Sequence, residues 1–399
     1  MAVVGIGTVV VTIRFDQLIA SSKDPISSFW ISLFCSVVGG LVLGLAAWPF
    51  VALDEAFFIG LATMALAIFN GFYYLRVSGD QPLRASGGKA VQAGGVLGSQ
   101  VYLGGAGWGS AGLLWGELAG RLIALSFIIR KVEVRGLPEL KNELLEQWPA
   151  AKWLAPGAFL GALALQLLPL GMAVSVGAAA AGVFLLIYRM IVIPNSLLSK
   201  VASDTLLVEF NRLEQAGLPI SEAVERSLGK LVLAGCCLYG SLAIYGKWVF
   251  PAVLGQQWAA SADLIPWLSL LVGAWSLASP LAMVFVSKKK TRWSFGLSCL
   301  DIINRCTALA LGFLFQDVLM SAMALAIGGV LVYGATVSCA LRLAGASFTR
   351  AMRQVLFPGI FILFFLVGGA VWAAHELWVA SICFSMMAFG LGGKKVLYG

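Results

Sequence analysis

Four places in this chain set ionisable side chains inside apolar stretches: Arg14 with Asp16, Glu117 with Arg121, Arg189, and Asp301 with Arg305. Inside a bilayer each such charge costs a few kcal/mol or more, so each implies either a partner or a task. Glu117 and Arg121 stand four apart with the acid first, as do Asp301 and Arg305. That spacing lets each pair neutralise itself on one helix face, as a structural ion pair or as part of a binding site. Arg14 and Asp16 are two apart, so on a helix they face different sides and each needs another partner. Arg14, near one end of its block, could instead snorkel to the headgroups. Arg189, within "LLIYRMIVIP", has no acid three or four residues away on either side. It is eleven residues short of Lys200, or about 16 Å of helix, which is too deep to snorkel comfortably. Pro194 follows five residues later and removes a backbone hydrogen bond nearby.

The elements that must hold these charges are predicted to be membrane spans. Sixty per cent of the residues are apolar and 12% are charged, far from the balance of soluble domains. Apolar blocks of about 20 residues, enough to cross a bilayer, recur at roughly 1–19, 27–50, 54–77, 88–106, 109–129, 152–174, 177–199, 229–251, 262–286, 293–315, 318–341, 355–373 and 377–393. The fold class expected is therefore all-α, a polytopic transmembrane helix bundle of about 13 spans. An N-terminal lobe over 1–130, a linker at 131–151, a C-terminal lobe over 152–343 and two further helices over 355–393 are expected. The first block begins at Met1 without a basic leader region, which suggests a helix missing before it.

Basic residues occupy every second junction: Lys23; Arg76, Arg84 and Lys89; Arg130 to Lys152; Lys200 to Lys230; "SKKKTR" at Ser287 to Arg292; Arg342, Arg350 and Arg353; and Lys394 with Lys395. By the positive-inside rule these junctions and the C-terminus are cytoplasmic. The net charge of +8 is then a topology signal and an attraction to anionic lipid, with no need of nucleic acid. The two longer junctions, Arg130 to Trp153 and Ser199 to Lys230, carry apolar residues at helical spacing, suited equally to amphipathic helices along the inner headgroups and to plain connectors.

Enzyme chemistry finds little footing here. His375 is the single histidine and falls in an external turn; "SGGKAVQ" at Ser86 to Gln92 lacks the spacing of a phosphate-binding loop. The seven cysteines all fall in apolar blocks without metal spacing and read as packing residues. No catalytic residue, metal or cofactor is expected.

Three stretches carry a family resemblance. Gly177 to Leu213, "GAAAAGVFLLIYRMIVIPNSLLSKVASDTLLVEFNRL", resembles the pattern of Wzx-type lipid-linked oligosaccharide flippases, in which a Gly-rich turn and "aGlYalaYR" precede a Pro-centred helix. Val253 to Phe285 is similar to that family's "lfGeeW" stretch, and Thr12 to Asp24 to its "lRyE" segment, with Asp16 in place of the commoner Glu. The family is one of polysaccharide biosynthesis proteins within the multidrug/oligosaccharidyl-lipid/polysaccharide (MOP) exporter superfamily. The resemblance implies fourteen spans, of which this chain has all but the first, as two lobes around a central cationic cavity. It implies flipping of an undecaprenyl-diphosphate-linked oligosaccharide across the bacterial inner membrane by alternating access, for O-antigen or related polysaccharide, alongside a polymerase and glycosyltransferases. Arg189, Arg14, Asp16, Arg305, Asp301, Arg121 and Glu117 are the substrate-binding candidates. A cation-coupled multidrug extruder of the same superfamily is the alternative, although it would favour an acidic cavity. A membrane polysaccharide polymerase or ligase fits less well, because the external turns are short.

Overall fold

The structure is a computed structural model that describes residues 2–79, 82–129, 131–256, 258, 262–347 and 349–350. Among these residues there is no strand. The two apolar blocks beyond 350, His375, Cys383, Arg353, Lys394 and Lys395 lie outside the described residues.

The remaining eleven blocks each correspond to helix. In chain order these are α1 (Ala2–Thr12), α2 (Phe15–Leu18), α3 (Pro25–Ala47), α4 (Leu53–Ser78), α5 (Pro82–Gly105), α6 (Gly109–Ile128), α7 (Leu137–Val176), α8 (Ala178–Gln215), α9 (Ser221–Gly235), α10 (Ser241–Leu254), α11 (Leu264–Leu281), α12 (Met283–Ser287), α13 (Thr291–Phe315) and α14 (Val318–Ala344). Nine stretches among the described residues are long and apolar enough to cross a membrane, with α9 and α10 joined into one of them by a π-helical turn. The chain is thus an all-α, multi-pass membrane protein.

Local chemistry sets the helix ends. The Asp24 carboxylate accepts from the backbone N–H groups of Ile26 and Ser27, and Pro25 follows at the first helical position, so α3 starts there. Asp317 does the same for α14 through the Leu319 N–H at 2.8 Å. Gly345, at φ 70°, ends α14 in the left-handed region that glycine enters without strain.

Two compact units divide the chain. One holds the residues up to Leu163 together with Lys289–Ser298, and the other holds Ala164–Lys288 with the described residues from Cys299 onward. In the first unit Val4, Phe58, Ala62, Ala65 and Leu118 form an apolar cluster from α1, α4 and α6. In the second a larger cluster gathers Phe184, Tyr188, Leu268, Val272, Leu325 and Tyr333 from α8, α11 and α14.

The longer junctions are largely helical, and residues 221–230 of the second open α9. Residues 137–151 are the opening turns of the 40-residue α7, and residues 199–215 are the closing turns of the 38-residue α8. Hydrogen bonding within a continuous helix satisfies the backbone, and Pro194 interrupts α8 by only one donor.

In the first unit several basic junctions meet at one end. Lys23 and Lys289 both reach the Glu146 carboxylate of α7, at 3.3 and 3.2 Å. Arg76, in the last turn of α4, donates through Nε to the Ile128 carbonyl at 2.7 Å, capping the C-terminus of α6.

Candidate functional site

Each of the four charged places falls within one unit, and each meets a different environment. On α6 the Arg121 guanidinium pairs with Glu117 one turn earlier and donates through Nη1 to the Ala62 carbonyl of α4 at 2.9 Å. Both side chains are buried. The pair therefore joins α6 to α4.

At Arg14 the helix does not continue. Ile13 and Arg14 both have positive φ, 48° and 61°, so α1 ends at Thr12 and α2 begins at Phe15. A β-branched residue in that region is strained. The break puts Asp16, 1% exposed, against the hydroxyl of Thr12 at 3.1 Å. That hydroxyl also lies 3.0 Å from the Thr8 carbonyl, and it has only one proton to share between the two acceptors. Among the described residues Asp16 has no ion-pair partner, and the buried Nε of Arg14 has no acceptor. Asp16 thus depends on a local hydroxyl in place of the paired cation that a buried carboxylate usually has.

Asp301 and Arg305 of α13 form the expected ion pair, Nε to Oδ2 at 3.0 Å. Tyr333 of α14 closes it into a triad: its hydroxyl donates to Asp301 Oδ1 at 3.1 Å and lies 3.5 Å from Arg305 Nη2. Tyr188 of α8 is within electrostatic reach of Arg305 and stacks on Phe184, with centroids 6.0 Å apart. Arg305 Nη1 is buried without an acceptor among the described residues.

Arg189 has the opposite environment. It follows the buried Tyr188, is itself exposed on α8, and makes no hydrogen bond or ion pair among the described residues. One turn beyond Pro194 the same helix turns polar: Ser199 donates to the buried Asn195 side chain at 2.6 Å, and Lys200 pairs with Asp204 at 3.2 Å.

The structure also shows functional candidates that the spacing rules passed over. Tyr333 is 32 and 28 residues from its partners Asp301 and Arg305 in sequence, so only the packing of α14 on α13 could reveal it. Glu143 of α7 is buried with no cation paired to it among the described residues, its Oε1 accepting from Ser22, Ser28 and Gln147 at 2.6, 2.7 and 2.9 Å. The buried stripe Glu143, Gln147, Ala150, Ala151, Leu154 recurs at helical spacing and was available in the sequence. No cluster of potential metal ligands occurs among the described residues.

Residues 91–263 match the family model of polysaccharide biosynthesis proteins. The matched segment includes Glu117, Arg121 and Arg189. No curated protein sequence matches the chain. Among solved structures the chain is similar to "Crystal structure of MATE in complex with MaL6", with TM-score 0.67 and 11% identity over 86% of this chain and 85% of that one. It is also similar to "Outward-facing conformation of a multidrug resistance MATE family transporter of the MOP superfamily", with TM-score 0.59 and 12% identity over 89% and 84%. The chain shares the fold of these transporters. A third structure with this fold, "Lipid II flippase MurJ, inward closed conformation", has TM-score 0.58 and 12% identity, and the match covers 98% of this chain and 96% of that one. This shared fold and the polysaccharide biosynthesis match, which contains the stretch Gly177 to Leu213, bear out the resemblance.

Proposed function

We propose that this protein flips an undecaprenyl-diphosphate-linked oligosaccharide across the bacterial cytoplasmic membrane, with Arg189 drawing the diphosphate along its path. The observation that carries the reading is Arg189 itself, a cation exposed on a membrane-spanning helix without a partner among the described residues. A guanidinium so placed can hold two phosphate oxygens through parallel donors, while an ammonium offers a point charge. Two anionic phosphates crossing a low-dielectric layer need such an opposing charge. Support for the substrate class comes from the polysaccharide biosynthesis match, which spans Arg189, and from the likeness to a structure named as a lipid II flippase. Asp301, Arg305, Arg14, Asp16, Arg121 and Glu117 are the remaining candidates for contacting the substrate.

Complementation tests the proposal. A polysaccharide-export mutant carrying the full-length gene should recover export, and Arg189→Ala should lose it at unchanged protein level. Drug resistance conferred by the wild-type chain, without export, would replace this reading with that of an extruder.

A further inference from the structure

Within the first unit, α3 and α4 approach each other at glycines. A Cβ on Gly60 would sit 2.8 Å from the Gly40 carbonyl oxygen, and one on Gly44 would sit 3.3 Å from that of Ala56, so the two backbones meet almost directly. Larger side chains flank that contact. Leu41, Leu45 and Trp48 of α3 and Leu53 and Phe57 of α4 line, together with these glycines, a groove of about 170 Å³.

All five side chains are more than half exposed among the described residues, and no lining residue is charged. Such an apolar trough is unfavourable in water and ordinary in hydrocarbon, where close van der Waals fit decides what fills it. A lipid chain is its natural content. From Leu53 to Met64 the α4 side of the lining advances eleven residues, about 16 Å, or roughly half of a hydrocarbon core about 30 Å thick. That length suits one acyl chain from headgroup to mid-bilayer, whereas a partner helix would need the full width.

Charge at the end of the groove selects the headgroup. Asp54 and Glu55 occupy the first turn of α4, beside Leu53, and both are exposed with no ion pair among the described residues. Asp54 and Phe57, three apart, lie on the same side of α4. No Lys or Arg occurs in the sequence between Asp24 and Arg76. The N-terminus of α4 supplies about half a positive charge, so the two carboxylates leave this end net negative. A headgroup carrying only phosphate is repelled there, and an ammonium is attracted. A primary ammonium also donates hydrogen bonds to a carboxylate, which a quaternary one cannot do. We propose that the α3–α4 groove holds one acyl chain of a phospholipid with a primary-ammonium headgroup, seated against Asp54 and Glu55. The occupant is a bilayer lipid distinct from the diphosphate-linked substrate, which the same carboxylates disfavour.

Photolabelling of the full chain tests this. Purified protein is reconstituted in phosphatidylcholine vesicles containing the same small fraction of either phosphatidylethanolamine or phosphatidylglycerol, each with a diazirine in one acyl chain. After illumination, mass spectrometry of the digested protein should find label on the groove residues of α3 and α4, about threefold more from the ethanolamine lipid, the worth of one exposed charge pair. Leu45→Ala with Phe57→Ala, both at exposed positions, should remove most of that label at an unchanged melting temperature. Asp54→Asn with Glu55→Gln should keep the label and erase the difference between the two lipids. The proposal is overturned by absence of label from these residues, by equal labelling from both lipids in the unsubstituted chain, or by label that survives loss of the walls. Displacement of the ethanolamine probe by an equal amount of a polyprenyl diphosphate would overturn it too, by making the groove part of the substrate path.

Discussion

Arg189 stands exposed on α8, so removing it should leave folding nearly untouched. Arg189→Ala is expected to abolish polysaccharide export while stability changes by less than about 0.5 kcal/mol. Arg189→Lys should keep part of the export, because the charge remains and the two-pronged geometry is lost. Quantifying surface polysaccharide against protein level in the same cells checks both. Asp301 should behave differently. With Arg305 and Tyr333 bound to its two oxygens, Asp301→Asn leaves a buried guanidinium without its counter-charge, at a cost of roughly 3–5 kcal/mol. Joined to Arg305→Gln, the same change should restore much of the lost abundance, which a fluorescence-detected melting profile would show. Equal abundance in single and double variants, with export lost in both, would mark the pair as a substrate contact. The sequence showed these i to i+4 pairs because both partners lie on one helix. It could not show Tyr333, Ala62 or Thr12 as partners, since those contacts depend on which helices pack together or on where one breaks.

At the scale of elements, α7 couples a fixed joint to a loose one. Glu143 is buried and satisfied by three neutral donors, whereas Glu146, one turn on, is shared by two cations and is more than a third exposed. The hydrogen bond from Lys289, opposed by partial burial and helped by the charges of Lys289 and Lys23, holds the Glu146 carboxyl below its ordinary value. A depressed folded-state value means that the contribution is present above the usual carboxylate range and lost as pH falls through the folded value. Glu146→Gln should therefore melt slightly lower than the unsubstituted protein at neutral pH, and the difference should vanish on acidification and shrink with added salt. Parallel melts across pH would check it. Glu143→Ala should cost more, about 1–3 kcal/mol, because buried donors lose their acceptor. The helices and their approximate ends were legible from hydropathy, but the break at Ile13 and Arg14 was not. Apolar periodicity runs straight through it, and the strain there is sustained by tertiary packing around Phe15 and Leu18.

For the whole molecule, the alternation of basic junctions predicts which positions an impermeant thiol reagent can reach in intact cells. Cysteines introduced at Gln257 and Gln316 should be modified, and those at Lys290 and Arg350 should be protected until the membrane is opened. Labelling at position 290 in sealed cells would refute the orientation. The expected orientation rests on positive charge alone, which the sequence displays directly. The division into units was less legible, since it separates α7 and α13 in mid-helix where no composition shift marks the boundary. The length of α8 has a practical side as well. At 38 residues it extends about 57 Å, against a hydrocarbon core of about 30 Å. Its last turn is held by Lys288 on Glu214 at 2.6 Å, and the turn beyond it by the Leu218 N–H on the Leu213 carbonyl at 2.9 Å. Gly217, at φ 69° in that turn, is then a natural graft point for a rigid fiducial domain, giving electron microscopy a firm handle on a chain otherwise too small and featureless in lipid to align.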